Sequence, residues 1–131
     1  MIIRTALIFL ISALSCAAIR ISAPDRETEA VLTIIDTYEQ ARPRILITRL
    51  RIVWYLAYWI DVPGKGIKVR GYSYPETGTI HLIITDHISD GPLAHEMMHL
   101  AQFRSIPDHM WTDEDWMLVR RANNRLKEKG L

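Results

Sequence analysis

One stretch decides the fold: residues 93–102, which read Leu-Ala-His-Glu-Met-Met-His-Leu-Ala-Gln. Its apolar residues recur at helical spacing, and Pro92 stands where proline suits a first helical turn. We therefore predict a helix that begins near Pro92 and is capped by Ser89 or Asp90. The next proline, in Ser105-Ile106-Pro107, should mark its end.

The helix carries the pattern H-E-x-x-H, formed by His95, Glu96 and His99. Residues four apart lie on one face of a helix, so the two imidazoles can converge on one metal ion. Neutral imidazoles suit Zn²⁺, and a carboxylate beside them can serve as the general base for an activated water. We predict His95 and His99 as zinc ligands and Glu96 as the catalytic base.

A third protein ligand is expected, because catalytic zinc sites usually have three. The single cysteine excludes a cysteine-rich zinc site. His109 lies ten residues beyond His99, after a proline-containing turn that lets the chain return to the metal, and it is our preferred third ligand. Three carboxylates remain alternatives, although the start of a helix also explains them: Asp113, Glu114 and Asp115.

The surrounding chain predicts an α+β fold. Residues 25–41 have the spacing of an amphipathic helix, and residues 52–60 read as a strand or a bent pair of strands. Residues 67–74 and 79–85 flank turn residues and predict a hairpin. A last helix should start at Thr112 or Asp113. We expect a small antiparallel sheet packed on the H-E-x-x-H helix, with helices flanking it at both ends of the chain.

The order of hairpin, H-E-x-x-H helix, later histidine and a helix bearing Trp116 resembles the small SprT-like zincin metallopeptidases over residues 66–125. The resemblance implies that His95, His99 and His109 bind zinc and that Glu96 is catalytic. It also implies a minimal zincin-like fold. In zincins an edge strand above the metal helix pairs with extended substrate, which makes Thr79–Thr85 the candidate substrate strand. His81 and His87 are expected to be structural or surface residues.

The N-terminus reads as an export segment. After Arg4, residues 5–19 carry no charge, and as a helix they would span about 22 Å, short of the roughly 30 Å core of a bilayer. Ser12-Ala13-Leu14-Ser15-Cys16 resembles the lipobox of bacterial lipoproteins. We predict a signal peptide over residues 1–15 and lipidation of Cys16 as the first mature residue, with ordinary cleavage or an uncleaved anchor as alternatives.

The length and charge of the chain limit the number of domains and the classes of partner. The 131 residues suit one domain, predicted over residues 20–131. Loss of residues 1–15 removes one basic residue and leaves basic and acidic residues equal in number, so no nucleic-acid partner is expected. The sequence predicts an exported, membrane-tethered zinc peptidase of the cell envelope, acting on peptide or protein. The alternative is an inactive zincin-like envelope lipoprotein that binds metal or a protein partner.

Overall fold

The computed structural model describes residues 18–43, 47, 49–102 and 106–131. In chain order the strands are β1 (Ile19–Ile21), β2 (Arg51–Leu56), β3 (Ile60–Asp61), β4 (Lys68–Val69), β5 (Gly71–Tyr74) and β6 (Thr79–Ile83). The helices are α1 (Glu27–Ala41), α2 (Leu93–Ala101) and α3 (Asp113–Glu128). Two short 3-10 turns, Ile88–Asp90 and Asp108–Met110, precede α2 and α3. The predicted α+β class is confirmed.

The sheet is mixed, which corrects the antiparallel sheet that the sequence predicted. Its strand order is β1-β2-β6-β5, and β2 pairs with β6 in parallel while the outer pairs are antiparallel. β3 and β4 form a separate two-stranded ribbon. The chain passes from β2 through this ribbon and β5 before β6 returns to pair with β2. Hydrophobic periodicity predicts strands but carries no information on this crossover.

Three side chains of the sheet face the helices and form the centre of the core: Trp54, Ile80 and Leu82. They pack with the apolar faces of all three helices, so the molecule has two layers. In α2 this face includes Leu93, Ala94, Met97 and Met98, all fully buried, together with Ala101. The polar residues His95, Glu96 and His99 lie outside this core cluster.

The predicted elements appear with small shifts at their ends. α1 begins two residues later than expected, and residues 52–60 form a bent pair, β2 and β3. α2 begins at Leu93 as expected but ends at Ala101. Ser89 and Asp90 do not cap it, because both belong to a 3-10 turn and Pro92 occupies the N-cap position. α3 begins at Asp113 and is capped by Thr112, which agrees with the predicted start at Thr112 or Asp113.

Candidate metal centre

Helix α2 presents its two histidines on the stripe opposite the core. Their side chains are partly shielded, with 25% exposure for His95 and 16% for His99. The rings lie 5.3 Å apart, edge to face. The four-residue spacing therefore brings both imidazoles to one place at the surface of the helix, as predicted.

Asp108 closes the group from the 3-10 turn after Pro107. One carboxylate oxygen lies 3.0 Å from Nε2 of His95, and the other lies 2.6 Å from Nε2 of His99. The three ligand atoms lie within 4.8 Å of one another. Two imidazole nitrogens and a carboxylate oxygen therefore lie close enough together to surround a single metal ion.

The structure places Asp108, and not its neighbour His109, beside the two histidines. His109 is exposed and is not a member of this group. The chain does return to α2 after the predicted turn, but the residue that it delivers is one position earlier. Sequence spacing predicted that the chain returns to α2. It could not distinguish Asp108 from His109, because adjacent side chains in a 3-10 turn are about a third of a turn apart and point in different directions.

The three carboxylates considered as alternative third ligands, Asp113, Glu114 and Asp115, lie outside the group formed by the two histidines and Asp108. Asp115 accepts a hydrogen bond from the backbone N–H of Thr112 and, with the Thr112 side chain, forms a capping box. Its other oxygen lies 2.6 Å from the Arg42 guanidinium, which also reaches Glu114 at 3.3 Å. Asp113 is exposed in the first turn of α3. These carboxylates start α3 and tie it to the end of α1.

Glu96 lies between α2 and the edge of the sheet. It is only 5% exposed. Burial raises the pKa of its carboxyl to about 7, a hydrogen bond with the Ser73 side chain lowers it, and the nearby Asp108 charge raises it. A carboxyl whose pKa lies near neutral pH can both accept and return a proton.

Strand β5 approaches Glu96 through a glycine. A Cβ atom added at Gly71 would lie 2.9 Å from Cγ of Pro92 and 3.3 Å from Cγ of Glu96. Only a residue without a side chain allows this distance between strand and helix. Gly71 and Ser73 thus bring the edge strand against the carboxylate, a relation that the sequence analysis did not find.

An aromatic wall supports the histidines. Trp111 is buried, and its ring lies 4.7 Å from that of His95 and 4.6 Å from that of His99. Its indole N–H donates to the carbonyl of Ile106, at 3.1 Å. Trp116 packs on both Trp111 and His95. The only sequence signal for Trp111 is its place two residues after His109, since a tryptophan next to a turn has no fixed role.

Two imidazole nitrogens and a carboxylate oxygen are ligand types that zinc binds. Zn–N and Zn–O bonds of about 2.0–2.1 Å in a tetrahedron separate ligand atoms by about 3.3 Å. The observed 2.6 and 3.0 Å, each to a different oxygen of Asp108, are shorter than this, so the carboxylate must move outward by about 0.3–0.7 Å. Its side chain is 50% exposed, so it has room to do so. Burial and the neighbouring His95 lower the pKa of His99, and they outweigh the opposing effect of Asp108, which favours the neutral imidazole that binds metal.

Comparisons with protein families, curated proteins and solved structures found no significant match.

The remaining predicted residues lie away from this group or outside the described chain. His81 lies on β6, with Nδ1 2.9 Å from the hydroxyl of Tyr55, and His87 is exposed near Asp90. The signal peptide over residues 1–15 and Cys16 fall outside the described residues. Within the described ranges no helix has the length and apolar character to cross a membrane.

Proposed function

We propose that this protein is a zinc-dependent metallopeptidase, exported and tethered to the membrane by its N-terminus. One observation carries the proposal: the nitrogen and oxygen atoms of His95, His99 and Asp108 converge within 4.8 Å, and the helix that carries both histidines also carries the buried carboxyl of Glu96. Two histidines and a carboxylate leave a fourth tetrahedral position open, the pattern of catalytic rather than structural zinc.

The residues divide the chemistry between them. A bound zinc ion would supply Lewis-acid chemistry, activating a water and polarising the scissile carbonyl. Glu96 accepts the proton of the attacking water and returns it to the leaving amine, which its raised pKa permits. Trp111 packs on both imidazole rings and holds them in place. The carboxylate of Asp108 would neutralise part of the positive charge of a bound zinc ion.

One edge of β5 has no partner strand among the described residues, and this edge supplies a binding strand for an extended peptide. Thr79–Thr85 cannot do so, because β6 lies between β2 and β5, with a partner on each side. The N–H of Ile83 donates to the carbonyl of Arg70. Hydrogen-bonded positions alternate in an antiparallel pair, so the next residue of β5 whose backbone groups point toward β6 is Tyr72. Gly71 and Ser73 then direct their backbone groups to the open edge. A peptide added there would lie beside Glu96.

Zinc content and hydrolysis of unfolded protein substrates test the proposal with the purified full chain. We expect one zinc per chain, and we expect Glu96→Gln to retain the metal and lose hydrolysis. His99→Ala should lose both. Asp113→Asn is the matched control, because this exposed carboxylate contacts neither the histidines nor Glu96, and it should retain both. Hydrolysis by Glu96→Gln at the wild-type rate would refute the mechanism. Zinc binding without hydrolysis by the wild type would assign the alternative, a non-catalytic metal-binding protein.

A further inference from the structure

A patch of apolar side chains lies exposed at one end of the sheet. Tyr58 is 89% exposed, and Leu56 and Trp59 are each 56% exposed. Ile19, 38% exposed, pairs with Leu56 across the β1–β2 ladder. These four residues, Ile19, Leu56, Tyr58 and Trp59, are called the end patch below.

The end patch takes no part in the folded core. None of its members belongs to the core cluster or to the partly buried residues packed against it. Single exposed apolar residues are ordinary, but a tyrosine, a tryptophan and two aliphatic residues at one paired strand end and the loop that follows it are not. Tyrosine and tryptophan side chains are enriched where an apolar medium meets water, because each has an apolar ring and a polar atom.

The chain reaches the end patch directly from the predicted export segment. Only two residues separate Cys16 from Ile19. Three residue steps span at most about 11 Å when fully extended. If the chain is held in the bilayer at Cys16, by a lipid or by the apolar segment itself, Ile19 lies within that distance of the lipid surface, and its partner Leu56 lies about one strand spacing, roughly 5 Å, from Ile19.

The ribbon that follows the patch is basic. Residues 60–70 carry three basic residues, Lys65, Lys68 and Arg70, against the single acidic residue Asp61. All four are exposed. Basic side chains near a bilayer are attracted to anionic headgroups, while the aromatic residues insert at the same level.

From these observations we propose that the end patch is a membrane-docking surface of the folded domain, with Tyr58 and Trp59 at the headgroup level of an anionic phospholipid bilayer. The proposal rests on the tether in the proposed function and not on peptidase activity. Docking through two points, the N-terminal tether and the loop after β2, fixes the orientation of the domain on the membrane. A tether alone would leave it free to rotate.

Tryptophan quenching by brominated phospholipids tests the docking. The full chain is reconstituted in vesicles of phosphatidylethanolamine and phosphatidylglycerol, with and without bromine on the acyl chains. We expect quenching in the wild type and its loss in Trp59→Phe. Trp116→Phe is the matched control: Trp116 is also partly exposed, but it packs beside the metal centre, so the quenched component should remain. Phosphatidylcholine in place of phosphatidylglycerol should weaken the quenching.

Flotation of the same vesicles separates the possible outcomes. A chain that floats while Trp59→Phe leaves the quenching unchanged retains its tether and overturns the docking proposal. A chain that neither floats nor shows quenching overturns both. Dimerisation in detergent that Tyr58→Ser abolishes would assign the patch to a second copy and overturn the proposal. Hydrolysis measured in detergent reports the peptidase independently, so its absence leaves the docking result intact.

Discussion

At the residue scale, the centre depends on which of two adjacent side chains faces α2. Asp108 reaches both imidazoles, whereas His109 is exposed and directed elsewhere. A carboxylate in this position also brings negative charge close to Glu96, which contributes to its raised pKa. The identity of this residue would therefore affect both the proposed metal binding and the pKa of the proposed base.

Replacing each neighbour separately tests the assignment. Asp108→Ala should weaken zinc binding by more than about 10-fold, since even the loss of an outer-shell partner costs that much. His109→Ala should leave the affinity within about two-fold, because its side chain lies outside the group. Competition with a chromophoric zinc chelator measures both. The reverse order of the two affinities would restore His109 as the ligand.

Gly71 offers a second test at this scale. A methyl group there meets Pro92 and Glu96, so Gly71→Ala should push β5 away from α2 and reduce hydrolysis while zinc remains bound. Overpacking of this kind costs about 1–3 kcal/mol in the free energy of unfolding. Gly64→Ala is the control: its positive φ of 74° also costs about 1–2 kcal/mol, but no described atom lies within 4 Å of the added methyl. Equal rates of hydrolysis by Gly71→Ala and Gly64→Ala would argue that the short distance between β5 and α2 has no role in catalysis.

At the element scale, two contacts fix α2 and α3 relative to α1. The hydroxyl of the fully buried Tyr38 donates to the carbonyl of Ala94 at 2.6 Å, next to His95. Arg42, just beyond α1, binds the capping carboxylate of α3. α1 thus positions both the helix that carries the histidines and the helix that follows Asp108.

Tyr38→Phe removes the first contact without a change in shape. We expect a loss of about 1–1.5 kcal/mol in the free energy of unfolding, because the carbonyl of Ala94 loses a buried donor. Chemical denaturation measures it. A loss below about 0.3 kcal/mol would mean that the carbonyl finds another partner.

The cap of α3 makes stability depend on pH. Burial raises the pKa of Asp115, but hydrogen bonds from Thr112 and Arg42 outweigh it, and the pKa lies below its ordinary value of about 3.9. A depressed folded pKa gives stability that is complete above the unfolded pKa and is lost as the pH falls through the folded pKa. Asp115→Ala should therefore cost about 2 kcal/mol at neutral pH, and the difference from wild type should shrink below about pH 3.9.

Asp113→Ala is the control for this series. It removes an exposed carboxylate from the same helical turn and should cost about 0.5 kcal/mol through the helix dipole alone. A pH-independent difference between Asp115→Ala and wild type would contradict the stabilising role of the ionised carboxylate.

The elements of this fold could be predicted from the sequence more fully than their arrangement. Capping signals at Thr112 and apolar spacing in residues 25–41 identified α3 and α1, because both signals are local. The parallel pairing of β2 with β6 and the return of Asp108 to α2 depend on contacts between distant residues. Likewise, H-E-x-x-H located three site residues, whereas Gly71, Ser73 and Trp111 meet them only in the folded chain.

At the scale of the whole molecule, the metal centre joins α2 to the segment that precedes α3, and zinc should therefore stabilise the fold. A ligand at 100 times its dissociation constant adds about 2.7 kcal/mol if it does not bind the unfolded chain. We expect zinc to raise the melting temperature of the wild type and of Glu96→Gln, and a chelator to reverse the effect. His99→Ala should melt at one temperature with or without zinc. A zinc-dependent shift in that variant would indicate binding elsewhere.

The parallel pairing of β2 with β6 also constrains how the chain folds. The β5–β6 hairpin is local and can form in microseconds, but β2 must close a loop that contains the β3–β4 ribbon and the hairpin itself. Until it does, the backbone edge of β6 that pairs with β2 remains open, and Ile80 and Leu82 on the core-facing side of β6 lack part of their packing. Sheet closure is thus expected to limit the folding rate, and the chain is expected to be most prone to aggregate before that step.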